Sequence, residues 1–246
     1  MSHPKKFRFS IDRGGTFTDV YAEVPGESGF RVVKLLSEDP RNYADAPTEG
    51  IRRILSDVLK KNIDLKEIDT RMIEWIRMGT TVATNALLER KGARCALLVT
   101  KGFMDILQIG SQDRPQIFDI QITKPDLLYE EVIEVDERIV LTKNQKVIPS
   151  HVTVVKGVTK ESLYVEKPLN LRALKPVLKQ TLDKGINSIA VVLMHAYIFA
   201  EHEIAIGKLA EELGFSQVSL SSHVMPVSKL VARGDTTMVD AYLNPH

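Results

Sequence analysis

The stretch Ile11-Asp12-Arg13-Gly14-Gly15-Thr16-Phe17-Thr18-Asp19 decides how the chain begins to fold. Strand-like runs at 6–11 and 18–24 flank its glycines, which favour a tight turn, and a third β-rich run follows at 30–36. Three successive strands joined by short turns predict an antiparallel meander.

Beyond the meander, helix-like and strand-like runs alternate. Apolar residues at helical spacing over 46–61 predict a helix that packs on the sheet. The runs 72–78, 80–91 and 94–100 predict a strand–helix–strand crossover, and therefore parallel strands in a mixed sheet. Two helices and two strands over 171–220 predict a second α/β lobe.

Composition excludes several classes of protein. The 246 residues carry 33 Lys+Arg against 32 Asp+Glu, without the basic blocks typical of nucleic-acid binding. The apolar run 189–200 is shorter than the roughly 20 residues that span a bilayer. The single cysteine, Cys95, cannot form an internal disulfide, and its place at the start of a buried strand predicts a core residue. We expect a cytoplasmic protein without nucleic-acid or membrane partners.

The glycine turn has the chemistry of an anion site. Gly14 and Gly15 allow backbone amide groups to surround an anion, and Thr16 and Thr18 add hydroxyl donors. Asp12 follows a strand and is suited to hold Mg²⁺ directly or through water. The alternative is an ordinary β-turn. P-loop and dinucleotide glycine motifs are both missing from the sequence, so a phosphate site here belongs to another class.

A second polar motif lies over 77–85, where a strand runs into a helix. Thr80, Thr81, Thr84 and Asn85 offer donors suited to a carboxylate, an amide or a phosphate, beside unpaired backbone amides. N-capping by Thr80 or Thr81 explains the same residues.

The histidines at 195 and 202 do not form a metal-binding pattern. His202 is followed by Glu203, but the His-Glu-X-X-His spacing is missing. A structural polar network at a strand end is the favoured interpretation.

Long segments of the chain resemble the amino-terminal region of the hydantoinase A/oxoprolinase family, in particular its eukaryotic-type oxoprolinases. The resemblance covers nearly the whole chain and is specific, because its motifs are long and occur in order. The matching segments are 11–19, 34–40, 45–54, 77–92, 102–103, 109–110, 114–115, 128–138, 191–197, 202–203 and 218–222.

The resemblance implies an α/β fold, namely the amino-terminal lobe of an actin/Hsp70/sugar-kinase-like ATPase with a mixed β-sheet and an additional α/β subdomain. It implies ATP-dependent hydrolysis of 5-oxo-L-proline to L-glutamate through phosphoryl activation of the ring amide. The implied cofactors are ATP and Mg²⁺, with K⁺ as a further candidate, and the full-length enzyme is expected to be a homo-oligomer. The expected domains are a phosphate-loop lobe (1–140), a hairpin excursion or linker (141–168) and a second α/β subdomain truncated at its carboxyl end (169–246).

Site residues follow from the match with the family motifs. Asp12, Thr80 and Thr81 are the expected catalytic residues, and Asp12 is also the expected metal ligand. The cofactor is expected to contact Asp12, Gly14, Gly15, Thr16, Thr18 and Asp19, with Asp19 supporting the loop. The substrate is expected to contact Thr84, Asn85 and Arg114.

Two alternatives remain open. Family members continue well beyond 241–246, so the chain is expected to contain only part of the active site and could be a catalytically incomplete nucleotide-binding or interaction lobe. The other alternative is a related ATP-dependent hydantoinase or a carboxylase-like relative.

Overall fold

The computed structural model describes residues 5–111, 118, 125–145 and 147–245. The chain forms two compact units, Met1–Arg90 and Lys91–His246. The first domain boundary expected from the sequence is at 140 instead. The difference arises because the strand near 95–100 pairs with the strand at 131–135 on one side and with the strand at 188–192 on the other, so all three belong to the second unit.

The described residues of the first unit build one mixed four-stranded sheet, in the order β3-β2-β1-β4. Strands β1, β2 and β3 pair antiparallel, whereas β4 pairs parallel with β1. The elements are β1 (Phe7–Arg13), β2 (Phe17–Glu23), β3 (Phe30–Leu36), α1 (Ala46–Leu59), β4 (Ile73–Thr80) and α2 (Val82–Leu88), with short 3-10 helices at Leu65–Glu67 and Thr70–Met72.

Alternation along β1 and β2 gives this sheet two different faces. Phe9, Ile11 and Val20 are buried in a cluster with apolar residues of α1. Asp45 caps α1, where its carboxylate accepts from the Thr48 amide at 2.9 Å. The predicted meander and its covering helix are therefore confirmed. The face opposite α1, here called the outer face, carries Ser10, Asp12, Asp19, Tyr21 and Arg77.

The described residues of the second unit form two sheets. One is parallel, in the order β11-β10-β5-β6, and the other is antiparallel, in the order β7-β9-β8. The elements are β5 (Cys95–Thr100), α3 (Ile106–Ile109), β6 (Glu131–Val135), β7 (Arg138–Leu141), β8 (Thr153–Lys156), β9 (Ser162–Lys167), α4 (Leu171–Asp183), β10 (Ser188–Val192), α5 (Glu201–Leu213), β11 (Gln217–Leu220), α6 (Ser221–Val224) and α7 (Leu230–Leu243), with a 3-10 helix at Thr142–Asn144.

The centre of the parallel sheet is apolar on both faces. Every residue of β5 and β10 is buried, which fits the continuous apolar runs in their sequences. The antiparallel pairing of β8 with β9 accounts for the hairpin expected near 141–168. Within the described residues, no helix combines the length and apolar character needed to cross a membrane.

The predicted crossover from β4 to β5 was wrong. Strand β4 pairs with β1, whereas β5 pairs with β6 and β10 in a different sheet. Periodicity identified both strands and the helix between them, but periodicity carries no information about strand partners. Helix α7 was missed, because Lys229 at its N-cap makes no side-chain cap and polar residues such as Arg233 and Thr237 are buried in it.

Candidate functional site

The glycine turn connects β1 to β2 as a closed hairpin. The Gly14 amide donates to the Phe17 carbonyl at 2.9 Å, which closes the turn. Asp12 and Asp19 lie opposite each other in the β1–β2 register. Asp19 forms an ion pair with Lys34 at 2.9 Å, whereas Asp12 is exposed and has no ion-pair partner within the described parts of the chain. Asp12 is therefore the carboxylate free to take a cation.

Small residues keep space open around this carboxylate. A Cβ atom at Gly79, the register partner of Asp12 on β4, would meet nothing within 4 Å. A Cβ at Gly15 would lie 3.0 Å from Asn85 Nδ2, and one at Gly14 would lie 3.1 Å from the Phe17 carbonyl oxygen. Glycine thus leaves room beside Asp12 and permits the close backbone approach of the turn.

The geometry of the turn is compatible with the predicted anion site. Apart from helix and strand pairing, the amides of Gly15 and Thr16 donate no backbone hydrogen bond to any described residue. Successive free amides in a turn form a concavity with positive partial charge, and Thr16 is exposed beside them. Mg²⁺ is commonly bound by one or two carboxylates together with phosphate oxygens and water, and Asp12 offers one such carboxylate. The residues present therefore fit a magnesium–phosphate group.

Ser37, which the sequence analysis did not single out, braces the turn. Its hydroxyl donates to the Gly14 carbonyl at 2.6 Å and lies 2.9 Å from Thr18 Oγ1, and its amide donates to the Thr16 carbonyl at 2.9 Å. Because the Ser37 hydroxyl hydrogen is directed to Gly14, Thr18 is the donor to Ser37. Thr18 is fully buried. Its expected role as a phosphate donor is therefore corrected to support of the loop.

The junction of β4 with α2 is bonded to the same hairpin. Thr80 Oγ1 donates to the Arg13 carbonyl at 3.1 Å, and the Thr81 amide donates to the same carbonyl at 3.2 Å. Thr80 Oγ1 also accepts from the Val82 amide at 3.2 Å, whereas Thr81 is the N-cap residue of α2 and makes no side-chain cap. The single donor hydrogen of the Thr80 hydroxyl is occupied by the Arg13 carbonyl, so in this arrangement Thr80 positions the junction rather than donating to a ligand.

Asn85 is the residue of α2 that reaches the glycine turn. Its Nδ2 lies near Gly15 and donates to Thr81 Oγ1 at 3.4 Å. Thr84 is exposed, and the described residues give it no side-chain contact with the hairpin. Arg114 lies outside the described residues. The structure therefore brings Thr80, Thr81 and Asn85 to the turn.

A cleft of about 380 Å³ opens on the outer face of the first unit, within the size range of small-molecule sites. Its lining residues are Ser10, Ile11, Asp12, Tyr21, Arg77, Met78 and Gly79. Arg77 was not selected as a site residue from the sequence. In the structure it pairs with Ser10, two residues before the pairing of Gly79 with Asp12. The alternation of β4 was the available signal.

The second unit contains a buried polar network at 137–222. His202 Nδ1 lies 2.8 Å from Glu137 Oε2. Glu203 accepts from the Leu193 amide, the Ser221 hydroxyl and the Ser222 amide at 2.6–2.8 Å. The structural interpretation of His202 and Glu203 is thus confirmed, and the described residues contain no cluster of three potential metal ligands.

The outcomes differ for Cys95, which was predicted to be a core residue, and for His195, which was predicted to belong to the polar network. Cys95 is fully buried and donates to the Leu128 carbonyl at 3.2 Å, as a core residue should. Burial raises the pKa of its thiol to about 12. His195, by contrast, has a positive φ of 60°, and its Nδ1 is buried without a partner within the described parts of the chain. It therefore stands apart from the network around His202.

A family model described as the hydantoinase/oxoprolinase N-terminal region matches residues 8–214. The chain belongs to this family. Among its relatives, 5-oxoprolinase 1 of Arabidopsis thaliana is 60% identical over 98% of this chain, and 5-oxoprolinase of Dictyostelium discoideum is 51% identical over 98%. The chain spans 19% of the length of each of these two proteins. The resemblance to the family's amino-terminal region is confirmed.

Solved structures support the fold. The nucleotide-free structure of acetone carboxylase matches 97% of this chain, over 32% of its own, with a TM-score of 0.67 and 21% identity. The ATP-dependent caprolactamase from Pseudomonas jessenii matches 97% of this chain, over 31% of its own, with a TM-score of 0.69 and 23% identity. The α/β fold expected from the sequence is confirmed.

Proposed function

We propose that this chain forms the phosphate-binding part of an ATP-dependent 5-oxoprolinase, which hydrolyses 5-oxo-L-proline to L-glutamate. The observation that carries the proposal is the exposed carboxylate of Asp12, which has no ion-pair partner among the described residues, beside the Gly14–Gly15 turn and the open space at Gly79. The similarity to 5-oxoprolinases supports the choice of substrate.

Each residue near the turn has a proposed task. Asp12 would hold Mg²⁺, directly or through water, and the amides of Gly15 and Thr16 would donate to phosphate oxygens, while Gly14 would allow the phosphate to approach the turn that its own amide closes. Asp19, held by Lys34, and the buried Thr18 support the loop.

The β4–α2 junction contributes the remaining polar groups. Thr81 and Asn85 would donate to the terminal phosphate or to the substrate, since both lie beside the turn. Thr84 and Arg114 remain proposed substrate contacts, and Thr80 positions the junction.

The need for ATP follows from the chemistry of the ring. An amide is a poor electrophile, and MgATP, when bound, would supply a phosphoryl group to the amide oxygen, which makes the ring carbon more reactive toward water so that the carbon–nitrogen bond of the ring can break. The protein must hold the phosphates, orient the ring and stabilise developing negative charge, which preorganised amide and hydroxyl donors do well.

The first prediction concerns Asp12. In the complete enzyme, Asp12→Ala should lower 5-oxoproline-dependent phosphate release from MgATP by at least about 100-fold, because it removes the proposed metal carboxylate. Thermal unfolding should be nearly unchanged, since the side chain is exposed and has no ion-pair partner among the described residues.

The matched control is Asp57→Ala, which removes an exposed carboxylate of α1 that is paired with Lys60 and Arg31. This control should retain turnover. Near-normal turnover by Asp12→Ala would remove Asp12 from the mechanism. Phosphate release that does not depend on 5-oxoproline in the unaltered enzyme would contradict the proposed substrate.

The proposal extends to cofactors and surroundings. We propose MgATP with K⁺ as a further candidate, a small-molecule substrate, a cytoplasmic location and a homo-oligomeric full-length enzyme, with no nucleic-acid or membrane partner. A hydantoinase-like activity is the alternative within the family. Equal ATP turnover with hydantoin and with 5-oxoproline would favour that alternative.

A second candidate function is an interaction lobe without complete catalytic machinery. The specific observation in its favour is apolar exposure in the first unit: Ile76 is 51% exposed, Met78 56% and Leu88 75%. Ile76 and Met78 stand two residues apart on β4 and therefore share one face of the strand. Such a patch marks a surface suited to association with another protein.

A further inference from the structure

We infer that Arg77 binds the carboxylate of the substrate in the outer-face cleft. This inference rests on the proposed function and deepens it, because it assigns a specificity residue and the chemical class of its ligand, a small cyclic amide that carries a carboxylate. Three features distinguish Arg77: its position in the strand register, the lack of an ion-pair partner among the described residues, and the contact of its guanidinium with the Trp75 ring.

Strand register places Arg77 one row from the proposed phosphate site. Ser10 pairs with Tyr21 on one side and with Arg77 on the other, which makes a row across three strands. Asp12 lies in the next row on the same face, between Asp19 and Gly79, two residues further along β1. Two residues of strand span about 7 Å. A small ligand can therefore contact both rows at once.

The charge of Arg77 is uncompensated, unlike that of its neighbour on the same face. Arg8 donates to Glu74 at 2.8 Å and to Glu23 at 3.3 Å. Arg77 has no ion pair or hydrogen bond with any residue that the structure describes, although it lines the cleft. A cation with no partner in the described part of the chain, beside an opening of this size, is available to an external anion.

Trp75 holds the guanidinium in place. The centre of the Arg77 guanidinium lies 4.5 Å from the centroid of the Trp75 ring, which is cation–π geometry. An exposed arginine usually loses side-chain entropy when it binds, and a stacked guanidinium has already lost part of it. The planar fork then presents two parallel N–H donors, the arrangement that matches a carboxylate.

The chemistry of the proposed substrate fits these two rows. In 5-oxo-L-proline the carboxylate is attached to the ring carbon next to the amide nitrogen. A carboxylate on Arg77 therefore leaves the ring amide directed along the cleft, with Asp12 and the glycine turn one row away. The ligand class that this arrangement selects is an anionic lactam rather than a neutral one.

The test uses Trp75, the single tryptophan of the chain, as a reporter beside Arg77. Tryptophan fluorescence of the 246-residue protein would be titrated with 5-oxo-L-proline, with 2-pyrrolidinone, which lacks the carboxylate, and with inorganic phosphate. We expect a saturable change with 5-oxo-L-proline and none with 2-pyrrolidinone. In Arg77→Met the dissociation constant should rise about 30-fold, the loss typical of hydrogen bonds to a charged group.

Two variants sharpen the test. Arg8→Met removes an arginine from the same face whose charge is already paired, so binding should be unchanged. Arg77→Lys keeps the charge but loses the planar fork, and should fall between Arg77→Met and the unaltered protein.

Three outcomes would overturn the inference: no saturable change with 5-oxo-L-proline, an equal response to 2-pyrrolidinone, or a response to inorganic phosphate alone, which would assign Arg77 to phosphate. The failure of the proposed function is measured separately. Carboxylate binding that depends on Arg77, together with an enzyme that releases no phosphate from MgATP in response to 5-oxo-L-proline, would retain the inference as a binding site and reject the reaction.

Discussion

Glu49 illustrates how one residue can tie the fold to solution pH. It lies in the first turn of α1 and is only 6% exposed. Arg52 and Arg53 each donate to it through Nε at 2.7 Å. These hydrogen bonds, with that of Arg52 the stronger influence, hold the pKa of the Glu49 carboxyl at about 2, against a usual value of 4.5. The folded state therefore favours the ionised carboxylate.

The stability of the first unit should consequently depend on this carboxylate at acid pH. Because the folded pKa lies below the unfolded one, the stabilisation is complete above about pH 4.5 and is lost as the pH falls toward 2. Glu49→Gln should lower the free energy of unfolding by about 2 kcal/mol at pH 7, allowing for solvent screening of the partly exposed Arg53.

The measurement is urea unfolding of the unaltered protein and of Glu49→Gln between pH 7 and pH 2. The difference between their free energies of unfolding should shrink as the pH falls. A difference that stays constant with pH would show that Glu49 contributes through packing rather than through its charge.

At the scale of elements, α1 lies against the sheet so closely that one helix position must lack a side chain. A Cβ on Gly50 would lie 2.5 Å from Val20 Cγ2 and 3.1 Å from Val20 Cβ, in the buried core between α1 and β2. Such a contact forces either the helix or the strand to shift.

Gly50→Ala should therefore destabilise the protein, although alanine is the better helix former. Overpacking costs about 1–3 kcal/mol, whereas the gain in helix propensity is about 1 kcal/mol, so a net loss of up to about 2 kcal/mol is expected on chemical unfolding. Gly207→Ala is the matched comparison in α5, because its Cβ would meet the flexible end of Leu220 at 3.2 Å. Equal effects of the two substitutions would contradict the close approach of α1.

Elements whose patterns are local could be predicted from the sequence. Strand β10 and helix α5 were recognisable because a continuous apolar run is followed by helical spacing that stops at Gly214, whose φ is +98°. The partners of β4 and β5 could not be predicted, since hydrogen bonding between strands distant in sequence leaves no periodic signal in either strand.

The candidate site divides in the same way. Asp12, Gly14 and Gly15 could be selected because their chemistry is concentrated in one turn. The roles of Thr18 and Ser37 depend on which face of β2 is buried and on a contact across 19 residues, so only the structure distinguishes support from ligand binding. For Arg77, alternation along β4 indicates the face of the strand, but only the strand register shows that it lies beside Ser10.

At the scale of the whole molecule, apolar surface on the first unit predicts association. If Ile76, Met78 and Leu88 form a surface for another protein, the isolated chain should bind a hydrophobic dye under native conditions or self-associate on gel filtration. Ile76→Thr combined with Met78→Thr should reduce the dye signal by about half. Val158→Thr, which changes an exposed valine on the second unit, is the control.

A monomer that binds no dye would contradict the interaction lobe as a second candidate function. Dye binding that the paired substitutions leave unchanged would place the apolar surface elsewhere in the chain.

The Arg13 carbonyl accepts hydrogen bonds from both the Thr80 hydroxyl and the Thr81 amide. This shared acceptor determines which changes in chain length the site can tolerate. One oxygen atom joins two segments separated by 67 residues, so their spacing is determined by the parallel pairing of β1 with β4. The intervening connection is held to the core by Ile63, whereas residues 64–67 are exposed. An insertion within 64–67 should therefore leave the distance between the glycine turn and the threonine junction unchanged.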